Sequence, residues 1–462
     1  MRSWPLWIVL AAASSPAWGR KTKVVETPDP DAVAAGLLGA ALTSDEAYRE
    51  LEVLADDIGA RISGSAALDR AIAWGAAEMK ADGLVVTTEP VMVPKWVRGP
   101  AKAYTLENPA DAIDLLALGN SVSTPAGGLE APIVVLSSFD QLKTTDVKGK
   151  IVVWNAPFTD YGATVKYRWD GASQASRAGA VASLTRSVTP TSLDSPHTGN
   201  QRYADDVTPI PTAAISLEDA TRLARRQERG LKDTIHLEIS ASNEADAPSA
   251  NVVGELRGRD LPDEVIVLGC HLDSWDVGQG AQDDGAGCVT VMQAGALLAA
   301  LPVAPRRTVR VVLFTNEENG LAGGKAYYAA HSGEKIVAAV EDDTGSGAPL
   351  GFQVEVDGAD GLDEPASQAV VASLGPLLPW LAPVGATTLT TGGAGADISV
   401  VVAHGAVGFG LEHDMTGYWP IHHTDADTFD KVDPALVRKN VAAVTMLAYA
   451  LAETLDLPAR KP

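Results

Sequence analysis

The stretch VIVLGCHLDSWDVGQGAQDDGAGCVTVMQAGALLAAL, residues 265–301, decides the fold. Val265 to Cys270 is an unbroken run of apolar and small residues, the pattern of a strand buried on both faces. A polar, glycine-punctuated loop follows from His271, and an apolar helix runs from Gly285 to Leu301. Downstream the order repeats. Val309 to Phe314 reads as a strand, Gly323 to His331 as a helix and Ile336 to Val340 as a strand. Alternation of this kind predicts an α/β domain, a mixed and largely parallel sheet flanked by helices on both faces.

Three of these strands run into chemistry-bearing residues: His271-Leu272-Asp273, Glu317-Glu318 and Glu341-Asp342-Asp343. Ligands bind beyond the carboxyl ends of strands in open α/β sheets, so the three clusters should meet in one crevice. Asp283-Asp284-Gly285 opens the helix after the first strand, and His422-His423-Thr424-Asp425-Ala426-Asp427 lies in a loop near the C-terminus. Carboxylates crowded together repel one another unless cations neutralise them. Histidines and carboxylates without thiolates suit Zn²⁺ or a similar divalent ion. A shared carboxylate can hold two ions about 3.5–4 Å apart. Taken singly, a strand-end acidic pair or a surface histidine is more often solvated than functional; five such clusters in this order are not.

Upstream, residues 20 to about 40 read as a lead-in broken by Thr27-Pro28-Asp29-Pro30. Ser44 to Leu54 reads as a helix with a serine cap, Ala66 to Ala81 as a second helix and Val85 to Val93 as a strand. Between about 115 and 245 short strands such as Ile133–Leu136 and Ile151–Trp154 alternate with turn-rich segments, which predicts an inserted β-rich module. The expected division is a leader over 1–19, the N-terminal part of the catalytic domain over 20–114, the insertion over 115–245 and the rest of the catalytic domain over 246–462.

Arg2, the apolar run Trp4–Ala13 and the small residues around Ala17-Trp18-Gly19 form the three parts of a secretory signal, which predicts a secreted or periplasmic protein. No later stretch reads as a membrane span. The net charge of −23, from 59 acidic and 36 basic residues, is the wrong sign for tracking phosphates and argues against a nucleic-acid partner. The two cysteines, Cys270 and Cys288, are expected to be small buried hydrophobes rather than a disulfide.

The set His271-Leu272-Asp273, Asp283-Asp284-Gly285-Ala286-Gly287, Asn316-Glu317-Glu318, Asp343 and His423 resembles the zinc peptidase family M28. Within that family the likeness extends to the whole run His271–Gly280, to Ser195-Pro196-His197-Thr198-Gly199, to Glu89-Pro90-Val91 and to Trp96-Val97-Arg98-Gly99, so it covers most of the chain. The resemblance implies a zinc exopeptidase-like fold and makes the insertion similar to a protease-associated domain. It implies two zinc ions per chain, one held by His271, Asp283 and Asp343, the other by Asp283, Glu318 and His423. Glu317 would be the general base that deprotonates the attacking water, and Asp273 would orient His271 through its carboxylate. It also implies a cis peptide between Asp283 and Asp284. The implied substrates are dipeptides or short peptides with free termini; a broader aminopeptidase of the same family is the alternative, and a homodimer is left open. Asp342, His422 and Asp427 are expected as supports or as solvent-exposed residues rather than direct ligands, with Asp427 placed to brace the loop of His423. His197 either lines the cleft or caps a loop. Ala394-Gly395-Ala396-Asp397 lacks the hydroxyl residue that relatives often carry before that aspartate, which weighs against a substrate role for Asp397.

Overall fold

The computed structural model describes residues 29–358 and 361–458; the expected leader, 1–19, lies outside the described residues. An eight-stranded mixed sheet organises the larger part of the chain. Its strands run in the order Val85–Val93, Ala247–Leu256, Arg307–Phe314, Leu261–His271, Lys335–Glu341, Val407–His413, Pro349–Glu355, Thr388–Thr391. The central four, from Arg307–Phe314 to Val407–His413, are mutually parallel. Val265 to His271 is buried residue by residue, and so is all of Arg307–Phe314, which is why both read as continuous apolar runs.

Helices cover both faces. On one side Pro30–Thr43, Ala286–Ala299 and Pro434–Tyr449 enclose the main core around Leu268, Val291 and Val444. On the other, Ala322–His331 and Ser399–Ala403 cover Val267, Val312 and Phe314. The predicted helix Ala66–Ala81 is present to the residue, and the Ser65 hydroxyl accepts the Leu68 N–H at its start.

A second eight-stranded sheet occupies the middle of the chain and includes four parallel strands, Leu129–Leu136, Ile151–Trp154, Ala182–Arg186 and Thr212–Ile215. Helices Tyr161–Trp169, Gly171–Arg177 and Leu217–Glu228 accompany it, so this lobe is α/β in part. Its first strand is Trp96–Thr105, paired with Thr234–Asn243, so the lobe begins well before the expected boundary at 115. The strand Trp96–Thr105 follows Val85–Val93 after two residues, and sequence alone does not show that the two enter different sheets. Val93 and Ala247 are register partners, so the lobe leaves and rejoins the main sheet at one point.

Three further expectations change, and one is qualified. The lead-in is in fact a helix from Pro30, started by proline at its first position and by the Asp29 carboxylate on the Asp31 N–H. The helix expected over Ser44–Leu54 spans Glu46–Glu52 and then widens through Val53–Ile58; the Ser44 hydroxyl accepts the Glu46 N–H from just outside it. Cys270 and Cys288 are joined as a disulfide, their Cα atoms 5.1 Å apart. The loop after His271 folds back, so the strand end lies beside the first turn of the next helix at a separation a bridge can span. Lastly, Pro434–Thr454 is long and apolar enough to cross a bilayer, but 78% of its apolar window is buried inside the molecule, as expected of a core helix.

Candidate metal centre

Every cluster singled out in the sequence reaches the carboxyl end of the parallel strands, except that part of the acidic run 341–343 turns away. His271 ends its strand, and Asp283 and Asp284 lie in the tight turn Ala281–Gly285 that leads into the helix Ala286–Ala299. The peptide bond between them is cis. A Cβ on Gly287 would stand 2.0 Å from the Asp342 carbonyl and 2.3 Å from Asp284 Oδ1, so only glycine allows the helix to start this close to the neighbouring strand end.

Asp283 stands between the two histidines. His271 Nε2 is 3.2 Å from Asp283 Oδ1 and 3.1 Å from Asp343 Oδ1. His423 Nε2 is 3.2 Å from Asp283 Oδ2 and 3.2 Å from Glu318 Oε2. One carboxylate thus offers one oxygen to each of two imidazole–carboxylate pairs. The far nitrogen of each ring faces a carbonyl: His271 Nδ1 is 2.9 Å from Asp273 O, and His423 Nδ1 is 3.1 Å from Thr198 O. A carbonyl can only accept, so each Nδ1 presents a proton to it, which leaves Nε2 as the nitrogen able to give a lone pair to a cation among the carboxylates; Arg168 Nη1 lies farther from His423 Nδ1 than the carbonyl does, at 3.4 Å.

This is a poor arrangement for carboxylates alone and a good one for cations. Burial, followed by neighbouring acids, raises the pKa of Glu317 well above the ordinary value and that of Glu318 to about 7. Burial opposes protonation of His271 and His423, yet Asp343 and Asp283 around the first, and Glu318 and Asp283 around the second, raise both well above free imidazole. A site that draws protons onto its histidines this strongly lacks positive charge. Glu318 Oε1 is also buried with no hydrogen-bond partner. The residues therefore fit divalent metal with N and O donors.

His271, Asp283 and Glu318 can each bring an atom within 4.8 Å of the others, and His271, Asp284 and Asp343 can do the same. Of the two aspartates it is Asp283 that faces both histidines, because the Asp284 carboxylate is occupied by the backbone N–H groups of His271 at 3.2 Å and Gly287 at 3.1 Å. Cys270, Asp284 and Cys288 also lie close together, but disulfide sulfurs are not thiolate ligands.

The expected supports are partly redistributed. The Asp273 carboxylate does not reach His271: Oδ1 accepts the Glu317 N–H at 3.0 Å and Oδ2 the Ser63 hydroxyl at 3.2 Å, leaving the histidine to the Asp273 carbonyl. Asp273 lies two residues past the end of its strand, in the loop, and its carboxylate faces the backbone that carries Glu317. The Asp427 carboxylate accepts the N–H of Gln282 at 2.7 Å and of Asp283 at 3.1 Å, so it joins the loop of His423 to the turn of Asp283. Asp342 is buried behind the cleft, 3.6 Å from His413. His422 lines the cleft, its ring centroid 4.4 Å from that of His423. His197 is buried against His422, and Asp397 is buried outside the cleft lining.

Tyr418, Arg61 and Arg168 carried no sequence signal, and Thr198 stood out only as a member of the stretch Ser195–Gly199. The Tyr418 hydroxyl donates to Asp283 Oδ2 at 3.1 Å. Arg61, fully buried, donates to the carbonyls of Leu272, Gln279 and Gly280 and so holds the loop after His271. Thr198 and Arg168 reach the centre from the second lobe. The cleft over these groups has a volume of about 550 Å³ and is walled by both lobes, including Glu317, Tyr418 and Arg168.

The model of Peptidase family M28 matches residues 251–448. Carboxypeptidase Q of Xenopus laevis is 40% identical over 418 residues, covering 89% of this chain and 87% of that protein. Carboxypeptidase Q of Homo sapiens is 38% identical over 420 residues, with 89% and 86% covered. Among solved structures, the Peptidase M28 precursor from Shewanella amazonensis superposes with a TM-score of 0.86 at 34% identity, covering 94% of this chain and 99% of that one. With so much of both chains aligned and the histidines and acids gathered at one set of strand ends, this chain belongs to peptidase family M28.

Proposed function

We propose that this peptidase is a zinc-dependent exopeptidase with two metal ions per chain, acting on dipeptides or short peptides with free termini. The observation that carries this reading is Asp283, whose two oxygens face His271 and His423 at 3.2 Å each. His271, Asp283 and Asp343 would hold one ion; Asp283, Glu318 and His423 the other. The chemistry two bound zinc ions supply is polarisation of the scissile carbonyl and acidification of the attacking water. Glu317 takes the proton from that water and delivers it to the leaving amine. The Asp273 carboxylate aims it by holding its backbone N–H. The likeness to carboxypeptidase Q supports the exopeptidase reading, and the leader expected at 1–19 supports a secreted or periplasmic location.

Arg168 supports recognition of a free carboxylate. It is only 6% exposed and lines the cleft. Its partners are the Thr198 carbonyl at 3.2 Å, the Tyr161 hydroxyl at 2.7 Å and, at 3.4 Å, the His423 ring nitrogen, with no carboxylate among them, while Nε has none. A buried cation left without an anion is costly, and a substrate carboxylate would relieve that cost. The alternative, a broader aminopeptidase, needs no such group. Metal analysis should find close to two zinc ions per chain, with hydrolysis lost on chelation and restored by divalent ions. The protein should cleave a free dipeptide much faster than its C-terminal amide, and Arg168→Met should erase that preference. Equal rates on free and amidated substrates in the native protein would favour the aminopeptidase.

A further inference from the structure

The second lobe does more than wall the cleft. Thr198 clasps His423 by its backbone, with Thr198 N–H donating to the His423 carbonyl at 2.9 Å and Thr198 O facing His423 Nδ1 at 3.1 Å. Among the described residues, the groups within hydrogen-bond reach of His423 Nδ1 are the Thr198 carbonyl and, at 3.4 Å, Arg168 Nη1, both from the second lobe. Thr198 is in turn held by its hydroxyl, which donates to the Ala117 carbonyl at 3.0 Å and accepts from Arg98 Nη2 at 3.0 Å. Arg98, on the first strand of the same lobe, also donates to the Ala117 carbonyl. Its remaining N–H groups form a two-pronged pair with Asp276, at 2.9 Å from Nε and 2.7 Å from Nη2. Asp276 belongs to the loop that follows His271. The guanidinium lies 4.9 Å from the ring centre of Trp96 and 5.9 Å from that of Trp275, and Trp275 packs edge-on to His423 at 5.8 Å.

The geometry points to Arg98 as a positioning residue through which the second lobe sets metal affinity at the His423 side of the centre. Arg98 ties the loop after His271 to Thr198, and Thr198 fixes both the tautomer and the orientation of His423. A ring whose Nδ1–H is not held can place its proton on Nε2 instead, and that nitrogen then has no lone pair for a metal. His271 has an equivalent carbonyl within its own segment, at Asp273, so its Nδ1 is held without a group from the lobe. The two metal positions should therefore respond differently to one substitution about the lobe junction. This inference rests on the ligand assignment proposed above.

The test uses the full-length protein, stripped of metal and titrated with Zn²⁺ alone by calorimetry, with thermal melting of the stripped protein alongside. His423→Ala identifies the binding step that belongs to the His423 side. Arg98→Met should weaken that step by roughly 10–100-fold, the usual effect of removing a ligand's support, and leave the other step unchanged; the stripped protein should melt at a lower temperature, because Asp276 loses its partner, but still in one cooperative transition. Thr198→Val, which keeps the backbone clasp but loses the hydroxyl, should weaken the same step by a smaller factor; it decides alone if Arg98→Met does not fold. Equal weakening of both steps, or no change in either, overturns the inference. If His423→Ala itself leaves both steps intact, the ligand assignment falls and this inference with it; if it removes one step that Arg98→Met and Thr198→Val leave untouched, only the inference falls.

Discussion

Glu317 and Glu318 are adjacent carboxylates at the end of one strand, yet their surroundings divide them. Glu318 Oε2 stands 3.2 Å from His423 Nε2, among the groups assigned to metal, whereas the Glu317 N–H is held by Asp273. In Glu317→Gln the amide cannot take up a proton, so turnover should fall by roughly 10²–10⁴ while both zinc ions stay bound. In Glu318→Gln zinc content should fall first and activity with it. Zinc analysis beside the turnover number for both proteins checks this, and the opposite pattern would exchange their roles. Away from the centre, Glu50 offers a separate test at the same scale. Burial, then Asp82 and Glu78, push its pKa from 4.5 up to about 8, and its Oε2 has no partner. The folded protein keeps a proton that the unfolded chain releases near pH 4.5. Stability contributed by Glu50 is therefore whole below pH 4.5, declines up to about pH 8 and levels off above it. Glu50→Gln should flatten this part of the profile and raise the melting temperature at pH 8 more than at pH 5. An unchanged difference between the two pH values would count against it.

At the level of elements, the centre depends on how the strand Leu261–His271 is joined to the helix Ala286–Ala299. The disulfide Cys270–Cys288 links the residue before His271 to the helix's first turn across a sequence separation of 18. Cross-linking a loop of about this length is worth on the order of 3 kcal/mol, mostly by restricting the unfolded chain. Replacing both cysteines with alanine should lower stability by about that amount in denaturant titrations, and the native protein unfolded without reductant should show no reactive thiol. Full thiol reactivity would make the pair the two buried hydrophobes expected from sequence. The same element contact explains the demand for glycine at 287, since the helix start lies against Asp284 and the Asp342 carbonyl.

For the whole molecule, the arrangement of the lobes changes what the insertion is expected to do. All the assigned ligands lie outside it in sequence, which argues that removing it would spare metal binding. In the folded protein it clasps His423 through Thr198, and its core takes in Trp275 and Val277 from the loop after His271. Because Val93 and Ala247 are register partners, a two-residue turn can replace the lobe without stretching the main sheet. Such a deletion should retain the helix and strand content of the main sheet but bind about one zinc per chain instead of two. Retention of both ions at native affinity would show that the lobe does not support the metal centre.

Chain order and local pattern were enough for the central strands, the helix Ala66–Ala81 and the convergence of His271, Asp283, Glu317, Glu318 and Asp343, because each depends on apolar periodicity or on the rule that sites form at strand ends. His423 was legible through its neighbours and through the family resemblance. Tertiary structure alone decided the partners of those residues. Whether Asp273 meets His271 by carboxylate or carbonyl depends on a side-chain direction across two strands. Arg61, Arg98, Arg168 and Thr198 act across separations of about a hundred residues or more, as in the 211 between Arg61 and Leu272 or the 225 between Thr198 and His423. The cysteine pairing and the true start of the second lobe are of the same kind. Each is fixed by which distant segment packs alongside, a matter of long-range burial and hydrogen bonding that leaves no local period in the sequence.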